Sequence, residues 1–222
     1  MCPCTKPDSD SLSAHPAPLH ILGTGVLAEE FFALAAHMGV EVCAFVENID
    51  RTKSGTTLCG RPILWVDDVP DGAQCLCALS TTTRERYIDQ LRNRVVFTRL
   101  IHPSALILPG TSMGEGTVVS MGALIASNTT IGEHVFINRG ASIGHHTRIG
   151  NFVTIQPRAN IAGLVNIGAS AYVGMSAVVT ERRTVGSGST IAAGAVVVDD
   201  VPEHVLVAGV PAVVKKRGID AR

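Results

Sequence analysis

Aromatic side chains are nearly missing from this 222-residue chain: one Trp, two Tyr and six Phe amount to 4% of it. Rings supply much of the buried area in most domains. Here the 46% hydrophobic content must instead build its core from Val, Ile, Leu and Ala. That content is too high for a disordered chain, yet no apolar run approaches the roughly 20 residues that cross a bilayer. Neither sign of charge is in excess: 18 basic residues face 19 acidic ones, and no block of Lys or Arg precedes Lys215-Lys216-Arg217. Broad binding to nucleic acid or to an anionic membrane is therefore not expected. Residues 1–18, with Pro, Ser and Asp throughout, lack the apolar stretch of an export signal, so they are expected to form a flexible tail on a cytoplasmic protein. Cysteine is absent beyond residue 77. The six thiols (Cys2, Cys4, Cys43, Cys59, Cys75, Cys77) are expected to stay reduced, and the pair in the apolar stretch CLCAL reads as buried thiols rather than a metal site.

What the chain does have is a repeat. Stepping by six from Ile101 gives Ile107, Met113, Val119, Ile125, Ile131, Ile137 and so on to Val197, seventeen positions that are all aliphatic without one insertion. The position four after each is small or β-branched, from Ala105 to Val201, with Arg183 as the one exception. Gly follows the aliphatic residue seven times (Gly114, Gly132, Gly144, Gly150, Gly168, Gly174, Gly186), which we read as permissive backbone at tight corners. Three strands per turn make an 18-residue coil. Nearly six such coils form a prism whose narrow aliphatic core leaves no room for rings.

Residues 19–98 follow a different pattern. LHILGTG is a strand ending in a Gly turn, VLAEEFFALAAHMG an amphipathic helix, and VEVCAFVEN a second strand. RPILWV, AQCLCALS and VVF continue as strands, and TTTRERYIDQLRNR is predicted as a helix with Thr at its N-cap. Strands alternating with helices indicate a parallel α/β sheet. Gly23-Thr24-Gly25 is either a tight strand–helix turn or a backbone that approaches a phosphate at the helix start.

The hexad pattern resembles the left-handed parallel β-helix of the hexapeptide-repeat acyltransferases, and G-V-P-A at Gly209–Ala212 is similar to that superfamily's closing G-x-P-A. A small Rossmann-like α/β domain ahead of such a prism resembles the sugar acyltransferases that N-acetylate UDP-4-amino sugars or O-acetylate sialic acid. The resemblance implies four parts: the tail at 1–18, a nucleotide-sugar-binding domain at 19–98, the β-helix at 99–204, and a C-terminal segment at 205–222. It also implies acetyl-CoA as donor, surface-glycan synthesis, no metal, no nucleic-acid or membrane partner, and a homotrimer. The nucleotide sugar would meet Gly23, Thr24, Gly25, Glu47, Asn48, Ser80 and Thr81. The front turn departs from the family's G-x-G-H-G, and Glu47-Asn48 replaces its usual acidic pair.

Eight histidines occur, and two are set apart. His134 falls at a corner and is expected to be solvated. His145 and His146 are the outward corner residues after Ile143, and I-G-H-H-T-R-I-G resembles the family's I-x-H-[DE]-x-x-I-G, so the resemblance makes His145 the general base. Moving an acetyl group onto an amine or hydroxyl requires taking the acceptor's proton, which an imidazole does near neutrality. The usual carboxylate neighbour is replaced by His146, which either orients the base itself or leaves that role to a carboxylate from elsewhere. With no Cys in the repeat, direct attack in a ternary complex is expected. The resemblance adds Asn138 near the acceptor or oxyanion, and Thr154, Met175 and Ala193 along acetyl-CoA. Met175 and Ala193 are 18 residues apart on one corner, with Pro157 on the same line, whereas His145 belongs to another corner. Donor and base would then meet only between subunits. Lys215-Lys216-Arg217 reads as a solubilising tail or a contact for CoA phosphates. Two other classes share the prism: a metal-dependent hydratase of the γ-carbonic-anhydrase type, which needs three converging histidines, and a non-catalytic trimeric scaffold.

Overall fold

The computed structural model describes residues 18–81 and 84–221, so the expected tail at 1–18 lies almost wholly outside them, as do Thr82 and Thr83. Two units are present. The front unit runs β1 (Leu19–Leu22), α1 (Val26–His37), β2 (Val42–Glu47), β3 (Thr57–Leu58), β4 (Arg61–Trp65), β5 (Gln74–Cys77), α2 (Glu85–Asp89) and β6 (Val96–Phe97). Its sheet has the order β3-β4-β2-β1-β5-β6, parallel except for the β3–β4 hairpin. The strands are continuous apolar runs because both sheet faces are covered. Helix α1 buries Ala28, Phe31, Leu34 and Ala35 on the i, i+3, i+4 stripe that its sequence predicts.

The predicted second helix is much shorter than its sequence suggests. It begins at Glu85, its N-cap residue Arg84 supplies no side-chain cap, and residues 90–94 form turns instead. Arg84 is drawn beneath the helix into the interface with the second unit, and Leu91 folds back into the core, so tertiary contacts override a helix-forming stretch.

The second unit is the left-handed β-helix. Seventeen two-residue strands, β7 (Leu100–Ile101) to β23 (Val196–Val197), recur every six residues. Each from β7 to β20 pairs in parallel with the strand 18 residues on, as Ile125 with Ile143 and Ile143 with Ile161. The prism has three faces. The first carries β7 and every third strand after it, the second β8 and its successors, the third β9 and its successors. The inward ladders are almost sealed from Val119 to Val197, while Ile101, Ile107 and Met113 are half-buried at the open first coil.

Corner geometry corrects the glycine reading. None of the seven glycines after the aliphatic residue has a positive φ. A Cβ on Gly114, Gly150 or Gly174 would instead fall 2.6–2.7 Å from backbone of the next coil, so these sites are small because coils approach closely there. The left-handed conformation lies two residues later. Asn128, His134, His146, Phe152 and Leu164 all take it, with φ of 53–62°, at a cost of roughly 1–2 kcal/mol each. Neighbouring coils fix the chain tightly enough to tolerate it. Arg183 turns its side chain out, donating from Nε to the Glu181 carbonyl at 3.1 Å, while its own carbonyl keeps the ladder bond to Asn166.

The segment after residue 204 is structured. β24 (Val205–Ala208) adds a strand to the first face, and β25 (Val213–Arg217) returns antiparallel to it. Lys215, Lys216 and Arg217 therefore belong to a strand and not to a tail. No helix among the described residues is long and apolar enough to cross a membrane.

The units dock through the first face. Leu100, Val118 and Phe136 pack under α1, with Phe31 edge-on to Phe136 at 5.1 Å. Beside them Arg84 is fully buried. Its Nε and Nη2 donate to the His134 carbonyl at 3.1 and 2.7 Å, Nη2 to the Val153 carbonyl at 3.0 Å, and Nη1 to Thr154 Oγ1 and the Thr81 carbonyl at 2.9 Å each. Burial lowers its guanidinium to about 10, still cationic at neutral pH. His134 contradicts its solvated reading. It is 2% exposed, stacked on Phe152 at 5.5 Å and edge-on to Phe97 at 4.6 Å. Burial, with the charges of Arg92 and Arg84, lowers it to about 4. Cys75 and Cys77 are buried in β5, and burial pushes their thiols up to about 12 and 11.

Candidate active site

In the front unit strand order turns at β1, which has β2 on one side and β5 on the other. Open α/β sheets bind ligands at the carboxyl ends of the strands flanking such a point. Gly23 there has φ 111° and lies against Leu79 and the Ala78 carbonyl, so an added Cβ would meet a Leu79 methyl at 3.3 Å. Gly25 caps α1 with nothing near its missing side chain, leaving the helix start open. Thr24 and Glu47 come together: the Thr24 hydroxyl donates to Glu47, and Lys53 Nζ bridges Glu47 Oε2 and Thr24 Oγ1 at 3.1 Å each. Glu47 also accepts backbone N–H bonds from Asn48, Ile49 and Asp50. Burial alone would raise its carboxyl, but these donors outweigh burial and hold it at about 2. The carboxylate is thus committed to its own loop, and its ion-pair partner Lys53, which the sequence did not single out, stays partly exposed beside it. Asn48 reaches across to Gln90 at 3.3 Å.

The Ser80 carbonyl accepts from Thr154 of the prism, and the Thr81 carbonyl from Arg84, which itself reaches into the prism. Thr154 is fully buried in that seam, so its hydroxyl is spent on Arg84 and Ser80 and is not open to a ligand. Met175 and Ala193, by contrast, are exposed on the edge between the first and second faces. Asn138 sits at the inner side of the same edge, its oxygen accepting from Arg139 N–H at 2.8 Å and its nitrogen 3.5 Å from Gln156. Arg139 pairs with Glu30 of α1 at 3.0 Å, beside a cleft of about 270 Å³ floored by Phe31, Leu34 and Met121.

His145 and His146 stand exposed on the next edge, between the second and third faces. Their Nδ1 atoms are 3.1 Å apart with the rings nearly perpendicular. The His145 ring lies over Gly163 one coil on, where an added Cβ would come within 2.8 Å of Nε2. His146 Nε2 is 3.4 Å from the side-chain nitrogen Nδ2 of Asn128 one coil back. Neither Asn128 nor Gly163 was singled out from sequence, although each is 18 residues from one of the two histidines. Within one chain the structure keeps this edge apart from Asn138, Met175 and Ala193.

Among the described residues, Glu115, Glu133 and His134 are the group whose ligand atoms lie close enough to share a metal ion, within 4.8 Å of one another. Arg92 already pairs with Glu133 at 3.4 Å, and both His134 nitrogens are sealed against Phe97, Phe152 and Gly116. A cation would meet two guanidinium charges there, and we assign it none.

Residues 128–163 match the family model described as bacterial transferase hexapeptide (six repeats). Solved structures match over both units. Perosamine N-acetyltransferase from Caulobacter crescentus is 27% identical with a TM-score of 0.81, covering 90% of this chain and 98% of its own. The chain is an acyltransferase similar in both units to the hexapeptide-repeat enzymes. This acyltransferase is also similar to the acetyltransferase domain of PglB from Neisseria gonorrhoeae (29% identity, TM-score 0.80, 89% of this chain and 98% of that one). WeeI from Acinetobacter baumannii is a third relative, at 26% identity and TM-score 0.79, covering 89% of this chain and 99% of its own. The Caulobacter protein was solved with CoA and GDP-perosamine, including variants with one histidine replaced, and the PglB domain with acetyl coenzyme A. No curated protein sequence matches this acyltransferase.

Proposed function

We propose that this acyltransferase moves the acetyl group of acetyl-CoA onto the exocyclic amine of a nucleotide-linked amino sugar. The observation that carries the reading is the likeness of both units together, in one order, to a relative solved with CoA and GDP-perosamine. His145 Nε2 takes the proton of the attacking amine as nitrogen bonds to the thioester carbonyl. The C–S bond then breaks and the CoA thiolate leaves, to be protonated in turn. Asn138 donates to the acceptor or the developing oxyanion, where one fixed donor is worth about 3 kcal/mol. Met175 and Ala193 line the pantetheine arm. The diphosphate meets the open start of α1 and Lys53.

His145 and the Met175 edge belong to different corners, so the site forms between copies of the chain. The three faces support this. The front unit covers much of the first, and the third carries Ser112, Thr130, Arg148, Asn166 and Thr184 outward. The second carries Leu106, Leu124, Val178 and Val196 outward, with Ser142 and Asn160 between them, and is the more apolar of the two free faces. Turning this apolar face toward a threefold axis sets each His145 edge beside the next subunit's Met175 edge in a closed ring.

The test is release of free thiol from acetyl-CoA in the presence of UDP-, GDP- and dTDP-linked amino sugars. His145→Ala should lower turnover roughly 100- to 10,000-fold; unchanged turnover would remove His145 from the role of base.

A further inference from the structure

The neighbour of the His145 base is a second imidazole, which can donate or accept where a carboxylate can only accept. For Nε2 of His145 to hold a free lone pair, its proton must sit on Nδ1. That N–H has one partner at hand, Nδ1 of His146 at 3.1 Å, which must then accept. A neutral His146 that accepts at Nδ1 carries its own proton on Nε2. That N–H points at the side-chain amide of Asn128, 3.4 Å away. The atom at that distance is the amide nitrogen, and only the amide oxygen, brought there by a half-turn, can receive the proton.

The amide's nitrogen and oxygen exchange positions by a half-turn, and the partners decide between them. With the nitrogen toward His146, the placement in the structure, the chain of donors reverses. His146 Nε2 accepts, its Nδ1 donates, His145 Nδ1 accepts, and His145 Nε2 carries the proton and cannot act as a base. The amide is closely held for such a choice: Asn128 takes φ 58°, and its side chain lies against the bare backbone of Gly110 one coil further back.

We infer that Asn128 is a positioning residue that sets the tautomer of the His146–His145 pair, its side-chain oxygen committing His145 to Nδ1–H and so freeing Nε2. This deepens the reading of His145 as base and rests on it for its catalytic consequence, but the tautomer can be observed without turnover.

Nitrogen-15 NMR of the histidine rings above their titration, in the full-length protein, is the direct measurement. Wild type and Asn128→Asp should show His145 protonated on Nδ1, since a carboxylate can only accept. Asn128→Leu should lose that preference, and its backbone is accommodated because Leu164 takes φ 62° at the equivalent corner. Asn128→Gly serves if the Leu variant does not fold. In turnover, Asn128→Leu should lose about 10- to 100-fold in kcat with KM little changed. Asn128→Asp should stay active, with the pH–rate midpoint of the base moved upward by the added negative charge. An unchanged His145 tautomer in both Asn128→Leu and Asn128→Gly overturns the inference, as does a wild-type His145 protonated on Nε2 in both the free and the substrate-bound protein. If the tautomer follows Asn128 while His145→Ala remains fully active, the base assignment fails and the control by Asn128 stands.

Discussion

Gly163 has no special backbone torsion, so an alanine there would suit the chain itself; what forbids it is the His145 ring lying across the missing Cβ. Gly163→Ala should therefore leave the urea unfolding midpoint nearly unchanged while lowering kcat on the order of 100-fold, the effect of displacing a reacting group by about an ångström. Equal losses of stability and activity would show that the glycine serves packing instead. His134 provides a second test at this scale. Its folded pKa of about 4 lies below the ordinary 6.5, so the unfolded chain binds the proton more readily. The associated stability is complete above pH 6.5 and is lost as pH falls toward 4, on the order of 3 kcal/mol in all. Neither ring nitrogen has a hydrogen bond to lose. His134→Phe, scanned by melting temperature at pH 7.5 and 5, should thus flatten the acid limb without lowering the neutral value much.

Among the elements, the seam between front unit and prism depends most on Arg84. Its five donations satisfy three carbonyls and the Thr154 hydroxyl, drawn from both units, in a buried site. Arg84→Ala should cost about 3 kcal/mol in denaturant unfolding, because buried acceptors lose their donor. Arg84→Lys should recover only part of it, since a single ammonium cannot span the fork. A loss under 1 kcal/mol for Arg84→Ala would mean that the apolar contact of Phe31 with Phe136 holds the units by itself. The seam also marks where sequence reading stopped. The strand pattern of the prism was legible because it is local: each coil repeats the same six-residue step, so Ile143 and Ile161 announce themselves without knowledge of their neighbours. The truncated α2, the burial of His134 and the withdrawal of Thr154 from solvent all come from one long-range docking event. No periodicity encodes the approach of residue 84 to residue 154.

For the whole molecule, the proposed closed ring predicts a mass of three 23.2 kDa chains by sedimentation equilibrium. It also predicts complementation. His145→Ala and Met175→Glu chains, each inactive alone, should regain part of the wild-type activity when unfolded together and reassembled, because one edge of each type is intact in a mixed ring. Failure to recover activity from mixed trimers would mean that donor and base act within one chain. By itself the sequence determined the prism, its three-strand coil and the histidine pair on an outward corner, since a six-residue period and the exclusion of rings from a narrow core are properties of the chain taken a few residues at a time. Only the tertiary structure decided what surrounds that pair. Asn128 and Gly163 lie a full coil before and after it, and the stacking of coils sets the ring over a glycine and the second histidine against an amide. The same is true of the faces: alternation marks which side chains point outward, but docking of the front unit determines which of the three surfaces remains bare.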